Sequence, residues 1–183
     1  MKKPADKEEL LKVLDENGTP IGKFLNRSYV HDNNLFHNEV ALWIIDKENK
    51  QVLLQRRSKN KKSNPNKLAL CAGHVVENET IDEALKKEAF EEIGIDISNY
   101  QVHKLDIIKR VEPKNHNFSH HFYILERIPV TSMTIQKEEL SEVLYVDYEL
   151  VKNMTKTESD EIVFKWTQAY QRVFEKLDKI ILN

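Results

Sequence analysis

The stretch from Gly73 to Ile95, GHVVENETIDEALKKEAFEEIGI, leaves the chain less freedom than any other part of it. Thr80 and Glu83 stand at the spacing of a capping box, in which each satisfies an otherwise unpaired amide at a helix start. Gly94 is the residue that most easily takes the left-handed conformation closing a helix. The segment between is therefore expected to be a helix over Ile81–Ile93. Ile81, Ala84, Leu85, Ala89 and Ile93 form its apolar stripe. Each residue advances roughly 100° about the axis, and this puts Glu88 and Glu92 inside the stripe and Glu91 on its edge. These three sit at i, i+3 and i+4, so their carboxylates converge on one patch. On a bare helix such glutamates would form a solvated edge offset by Lys86 and Lys87. Buried together they repel, at a cost of several kcal/mol unless something balances them. A hard divalent cation such as Mg²⁺ would do so, because it prefers oxygen ligands and keeps waters that a phosphate can displace.

Composition excludes the commoner ways of holding a phosphate. The chain of 183 residues has four glycines, where average usage of about 7% would give roughly thirteen. None falls in a dinucleotide fingerprint or a glycine-rich P-loop. A formal net charge of −2 gives no basic excess for a nucleic-acid polymer. The lone cysteine, Cys71, permits no intrachain disulfide and suits a reducing compartment. Met1 to Glu9 holds no apolar run, and Val40 to Ile45 is far short of the roughly 20 residues of a membrane span. A cytoplasmic protein without membrane contact is expected.

Apolar and β-branched runs mark strands at Glu39–Ile45, Gln51–Arg56, Leu68–Ala72, Tyr100–Arg110, Phe118–Leu125 and Glu142–Val146. A hairpin region is expected over residues 10–30, turning at Asn17-Gly18. Apolar residues from Val163 to Ile181 recur every three or four positions and predict a terminal helix over about 160–182. That helix should pack on the domain, and its wide aromatic stripe also admits a homodimer. Strands interleaved with helices indicate an α/β chain with a mixed sheet between helices, a single domain over 1–183. Trp43 and Cys71 are read as core residues.

The pattern Gly73-x5-Glu79-x7-Lys87-Glu88-Ala89-x-Glu91-Glu92-x-Gly94-Ile95 resembles the Nudix box, whose family form has arginine at the position of Lys87. Looser similarity runs from about Val13 to Leu150. The resemblance implies an α/β/α sandwich in which the box, residues 73–95, holds Mg²⁺ (or Mn²⁺) against the diphosphate of a small molecule. It implies hydrolysis by water attack at phosphorus. Glu88, Glu91 and Glu92 would be metal ligands, Glu88 alternatively the base, and Glu79 a supporting ligand. Gly73 and His74 would face the substrate. Further candidates for the base are Glu138, Glu139 and Glu142. Lysine lacks the planar fork of arginine, so the ion pair that Lys87 makes is expected to be looser.

Arg56, Arg57, Lys61, Lys62 and Lys67 could gather phosphates, and Lys109, His120, His121 and Tyr123 lie on strands that could face the pocket. The N-terminal half is similar to the branch that includes isopentenyl-diphosphate isomerase, through Leu14-Asp-Glu-Asn-Gly, Val30-His31, Leu35-Phe36-His37 and Val52-Leu-Leu-Gln-Arg-Arg-Ser. Those isomerases use a histidine-rich metal site, and His31, His37 and His74 fall near three of its positions. They also need a cysteine directly before the box glycine and a glutamate on the facing strand. Here Ala72 precedes Gly73, and Ser119-His120-His121-Phe122-Tyr123 has no acid. Isomerase action and a non-catalytic ligand-binding module are the alternatives to hydrolysis.

Overall fold

The computed structural model describes residues 9–61 and 63–183; the N-terminal segment before Glu9 and the phosphate candidate Lys62 lie outside the described residues. An antiparallel hairpin, β1 (Leu10–Leu14) and β2 (Pro20–Asn26), leads into a short helix, α1 (Arg27–Asp32). The hairpin thus ends before residue 30, and His31 sits on the short helix that follows it. Val30 is the reason: it turns inward with Leu11 and Val13 to form a small core of the N-terminal arm.

The central strand is β3 (His37–Asp46), joined by a tight turn to β4 (Gln51–Arg57). The run from Leu68 divides into β5 (Leu68–Ala69), which pairs with β4, and β6 (Cys71–His74), which pairs with β3. One strand was expected there; the chain changes partner at Leu70. After the box helix α2 (Ile81–Ile93) come β7 (Val102–Glu112), β8 (Asn115–Ile124) and β9 (Leu140–Asp147). β8 runs parallel to β3 and every other pairing between the described strands is antiparallel, so the sheet is mixed.

Successive side chains of a strand point to opposite faces, and β3 divides accordingly. Val40, Leu42 and Ile44 pack with Ala84, Leu85, Ala89 and Ile93 of α2. Ala41, Trp43 and Ile45 pack with two further helices, α3 (Tyr148–Lys156) and α4 (Gln168–Ile181). The result is the expected α/β/α sandwich. α4 starts at Gln168, later than expected, because the preceding residues form an irregular segment tied to β5: Ile162 bridges to Leu68, and the Val163 amide donates to the Leu68 carbonyl at 2.9 Å. α3 lies where no helix was expected. Asp147 caps it, accepting from the Leu150 amide at 2.8 Å.

His121, expected toward the pocket, is buried on the α4 face. Its Nδ1 accepts from the Trp43 indole at 3.0 Å, which leaves the ring proton on Nε2, 3.2 Å from the Ser119 hydroxyl. Burial and the Arg110 charge push its pKa down from 6.5 to about 3. The unfolded chain therefore binds a proton that the native state refuses between about pH 6.5 and pH 3. The native state loses stability as pH falls through that window, by about 1.4 kcal/mol per unit from this residue. His121→Asn keeps an acceptor for Trp43. Chemical denaturation across this range should show a shallower acid loss for the variant; parallel curves would refute the assignment.

Candidate active site and its relatives

Both ends of α2 are closed as its sequence requires. The Thr80 hydroxyl accepts from the Glu83 amide at 3.2 Å, and Glu83 Oε2 accepts from the Thr80 amide at 2.8 Å. Gly94 takes φ 71°, and its amide donates to the Phe90 carbonyl. The helix is thereby held at a fixed angle across β6, with Glu88, Glu91 and Glu92 half-buried.

Glu92 lies against the strands: its Oε2 accepts from Gln55 Nε2 at 2.8 Å and from the Ala72 amide at 3.1 Å. Burial still outweighs these donors and raises its pKa. Glu88 packs directly on Gly73. Burial first, then the neighbouring Glu92, pushes its pKa up to about 8. The converging carboxylates thus lack sufficient positive charge of their own. An all-oxygen donor set of this kind, packed on Gly73 and bonded to the Ala72 amide, fits a hard divalent cation.

Lys87 acts as a point charge between two carboxylates, 2.8 Å from Glu79 Oε2 and 3.5 Å from Glu88 Oε1. The expected looser pairing is instead a close contact with Glu79, whose Oε2 also accepts from the Val76 amide at 3.3 Å. Glu79 closes the loop that leads into α2.

The described basic candidates are engaged, partly by their own loop and partly by acids of later segments. Arg56 donates to Glu142 at 2.6 Å and to the Asn66 carbonyl at 3.0 Å. Arg57 donates to the Ser63 carbonyl at 3.2 Å through Nε, and its charge bears on Glu92. Lys61 pairs with Glu139, and Lys67 with Asp160. Glu139 and Glu142 are therefore held by cations, while Glu138 is exposed. Lys109 reaches across to the Glu16 carbonyl at 2.6 Å, and Tyr123 stacks on His103. His120 meets Asn38 at 3.0 Å.

His74 departs from expectation. Gly73 is paired with Val40 and faces α2, so its neighbour His74 is paired with Glu39 and faces the other way. There it meets His31 and His37, away from the box carboxylates. Cys71 is buried on the α2 face beside Glu92, and burial pushes its thiol pKa well up. Gln55 was missed from sequence. It sits inside an apolar strand run, and only the pairing of β4 shows that it reaches Glu92.

A capped helix that lays three carboxylates over a glycine on a mixed sheet defines an α/β/α protein with a built oxygen-donor site. Residues 35–167 match the NUDIX domain, and the chain belongs to that family. Nudix hydrolase 3 of Arabidopsis thaliana is 30% identical over 178 residues, covering 92% of this chain and 23% of that protein. A Nudix hydrolase of Clostridium acetobutylicum, uncharacterised, is 29% identical over 73% of this chain and 67% of its own length. The chain thus spans less than a quarter of the Arabidopsis relative and about two thirds of the Clostridium one.

Among solved structures, a Deinococcus radiodurans protein superposes with a TM-score of 0.69 at 20% identity, over 90% of this chain and 97% of that one. The NUDIX domain of Shewanella oneidensis NrtR, complexed with ADP ribose, has a TM-score of 0.58 at 13% identity, over 78% and 87%. At these identities the likeness is one of fold. No described helix is long and apolar enough to cross a membrane.

Proposed function

We propose that the chain is a Mg²⁺-dependent hydrolase, with Mn²⁺ as a substitute, that cleaves the diphosphate linkage of a nucleoside diphosphate derivative or a related small organic diphosphate. The reading is carried by Glu88 and Glu92, two half-buried carboxylates on one face of α2, the first packed on Gly73 and the second bonded to the Ala72 amide, with the pKa of both raised. Glu88, Glu91 and Glu92 would hold the cation. When bound, it supplies positive charge to the phosphate oxygens and a more acidic water. Gln55 and the Ala72 amide fix the Glu92 carboxylate, while Lys87 and Glu79 hold the loop that carries the patch. A carboxylate must receive the proton of the attacking water. Glu139 and Glu142 are held by Lys61 and Arg56, which leaves Glu88, serving as base in place of ligand, and the exposed Glu138 as the candidates for this part.

The test is a panel of nucleotides, nucleotide sugars, dinucleotides, ADP ribose and isoprenoid diphosphates, assayed with Mg²⁺, with Mn²⁺ and with chelator. Turnover that needs the cation and places oxygen from labelled water in one phosphate product is expected. Tight binding of a panel member without turnover would indicate a binding module instead. Exchange of solvent deuterium into isopentenyl diphosphate would indicate an isomerase.

A further inference from the structure

The separation of β3 from β4 opens a small space beneath the last turn of α2. Among the described residues the two strands pair only at Ile45–Val52 and Asp46–Gln51. Beyond that point β3 turns to β6 and β4 to β5. Between them lies a cavity of about 10 Å³, walled by Leu42, Ile44, Leu53, Cys71, Ile93 and the amide side chain of Gln55. Such a volume holds about one water. An apolar side chain at position 55, continuing Leu53 and Leu54, would fill it and serve the fold.

Gln55 is 2% exposed, and its amide has one possible orientation. Nε2 lies 3.0 Å from the Leu70 carbonyl and 2.8 Å from Glu92 Oε2. Both partners are acceptors, so the N–H groups point at them; the reversed amide would set oxygen against oxygen twice. Oε1 is therefore turned away from Glu92, where among the described residues it is buried with no hydrogen-bond partner. A buried carbonyl left so weakens a fold. Packing alone does not account for a glutamine here, but its hold on Glu92 does.

Two further donors meet the inner side of that carboxylate. The Ala72 amide donates to the same Oε2 at 3.1 Å. The thiol of Cys71, one residue earlier on β6 and fully turned to the α2 face, is the other. Burial and the carboxylates of Glu92 and Glu88 keep the thiol protonated, so it meets Glu92 as a donor.

We propose that Gln55 and Cys71 are positioning residues: with the Ala72 amide they form a buried clamp of donors that fixes the Glu92 carboxylate for the cation. The clamp rests on the reading of Glu92 as a cation ligand given above. Cys71 then has a part beyond the core position that its apolar run suggests. Groups that orient a ligand from behind set how well it binds, and their loss typically lowers metal affinity by about 10–100-fold.

The experiment uses chelator-stripped full-length protein and Mn²⁺ alone, with free Mn²⁺ read by electron paramagnetic resonance and melting of the metal-free protein followed alongside. Two substitutions of Cys71 separate the roles, because packing and clamping predict opposite orders. Valine is apolar and close to cysteine in size but donates nothing, whereas serine is polar and donates. Cys71→Val should melt above Cys71→Ser, yet bind Mn²⁺ about tenfold more weakly than the parent, while Cys71→Ser stays within about threefold of it. Gln55→Met fills the cavity and removes both N–H donors, and it should weaken Mn²⁺ by about 10–100-fold. Should that variant misfold, the Cys71 pair decides alone. Binding equal to the parent in Cys71→Val or in folded Gln55→Met would overturn the clamp and leave the box reading standing. So would a Cys71→Ser variant that binds no better than Cys71→Val. A parent that binds no Mn²⁺ would overturn the box reading itself, and the clamp with it.

Discussion

Glu91→Gln and Glu92→Gln are each expected to lower kcat/KM by about 10²–10³-fold while the protein stays folded. Losing one preorganised electrostatic contact to the reacting phosphate raises the barrier by about 2.7–4 kcal/mol, and a glutamine offers a neutral oxygen where a charged one is wanted. Stability should not follow activity. Glu92 Oε2 accepts from Gln55 and from the Ala72 amide, and the glutamine carbonyl can accept from both. Both substitutions also remove a negative charge that bears on the half-buried Glu88. Without added cation, each variant should therefore melt within about 2 °C of the parent, or above it. The pair of measurements separates a ligand from a packing residue: a structural glutamate would lower Tm and activity together. Turnover within tenfold of the parent in both variants would remove the box carboxylates from the reaction.

The box was readable because its determinants are local. The capping residues stand three apart, the stripe recurs every one to four residues and the closing glycine directly follows the helix, and each appears in the structure where the spacing puts it. Features set by pairing across the sheet were not readable. Leu68 to Ala72 reads as one apolar run, yet its two halves bond to different strands. Val163 and Trp166 continue the spacing of α4, but the chain before Gln168 is an irregular segment tied to Leu68 through Ile162 and Val163. His74 shows the same limit at the site. Adjacent to Gly73 in sequence, it belongs to the opposite face, because strand alternation separates neighbours.

Gly73→Ala is the second large effect expected, and it tests why a glycine-poor chain keeps one here. The backbone of Gly73 is not left-handed, so conformational freedom is not what the position needs. Space is. A Cβ at Gly73 would stand 2.2 Å from the carboxyl carbon of Glu88 and 2.4 and 2.5 Å from its oxygens. The atoms met are the far end of a flexible side chain, so the carboxylate swings away and the strand stays. The fold should survive with Tm lowered by a few degrees, about 1 kcal/mol for a domain of this size. The chemistry should not, since displacing a reacting group by about 1 Å can cost about 10²-fold. A double-mutant cycle isolates the contact. Gly73→Ala should destabilise the parent but leave Glu88→Ala almost unaffected, because there is then no carboxylate to displace. An equal loss of stability in both backgrounds would mean that the glycine serves the strand and not the carboxylate above it.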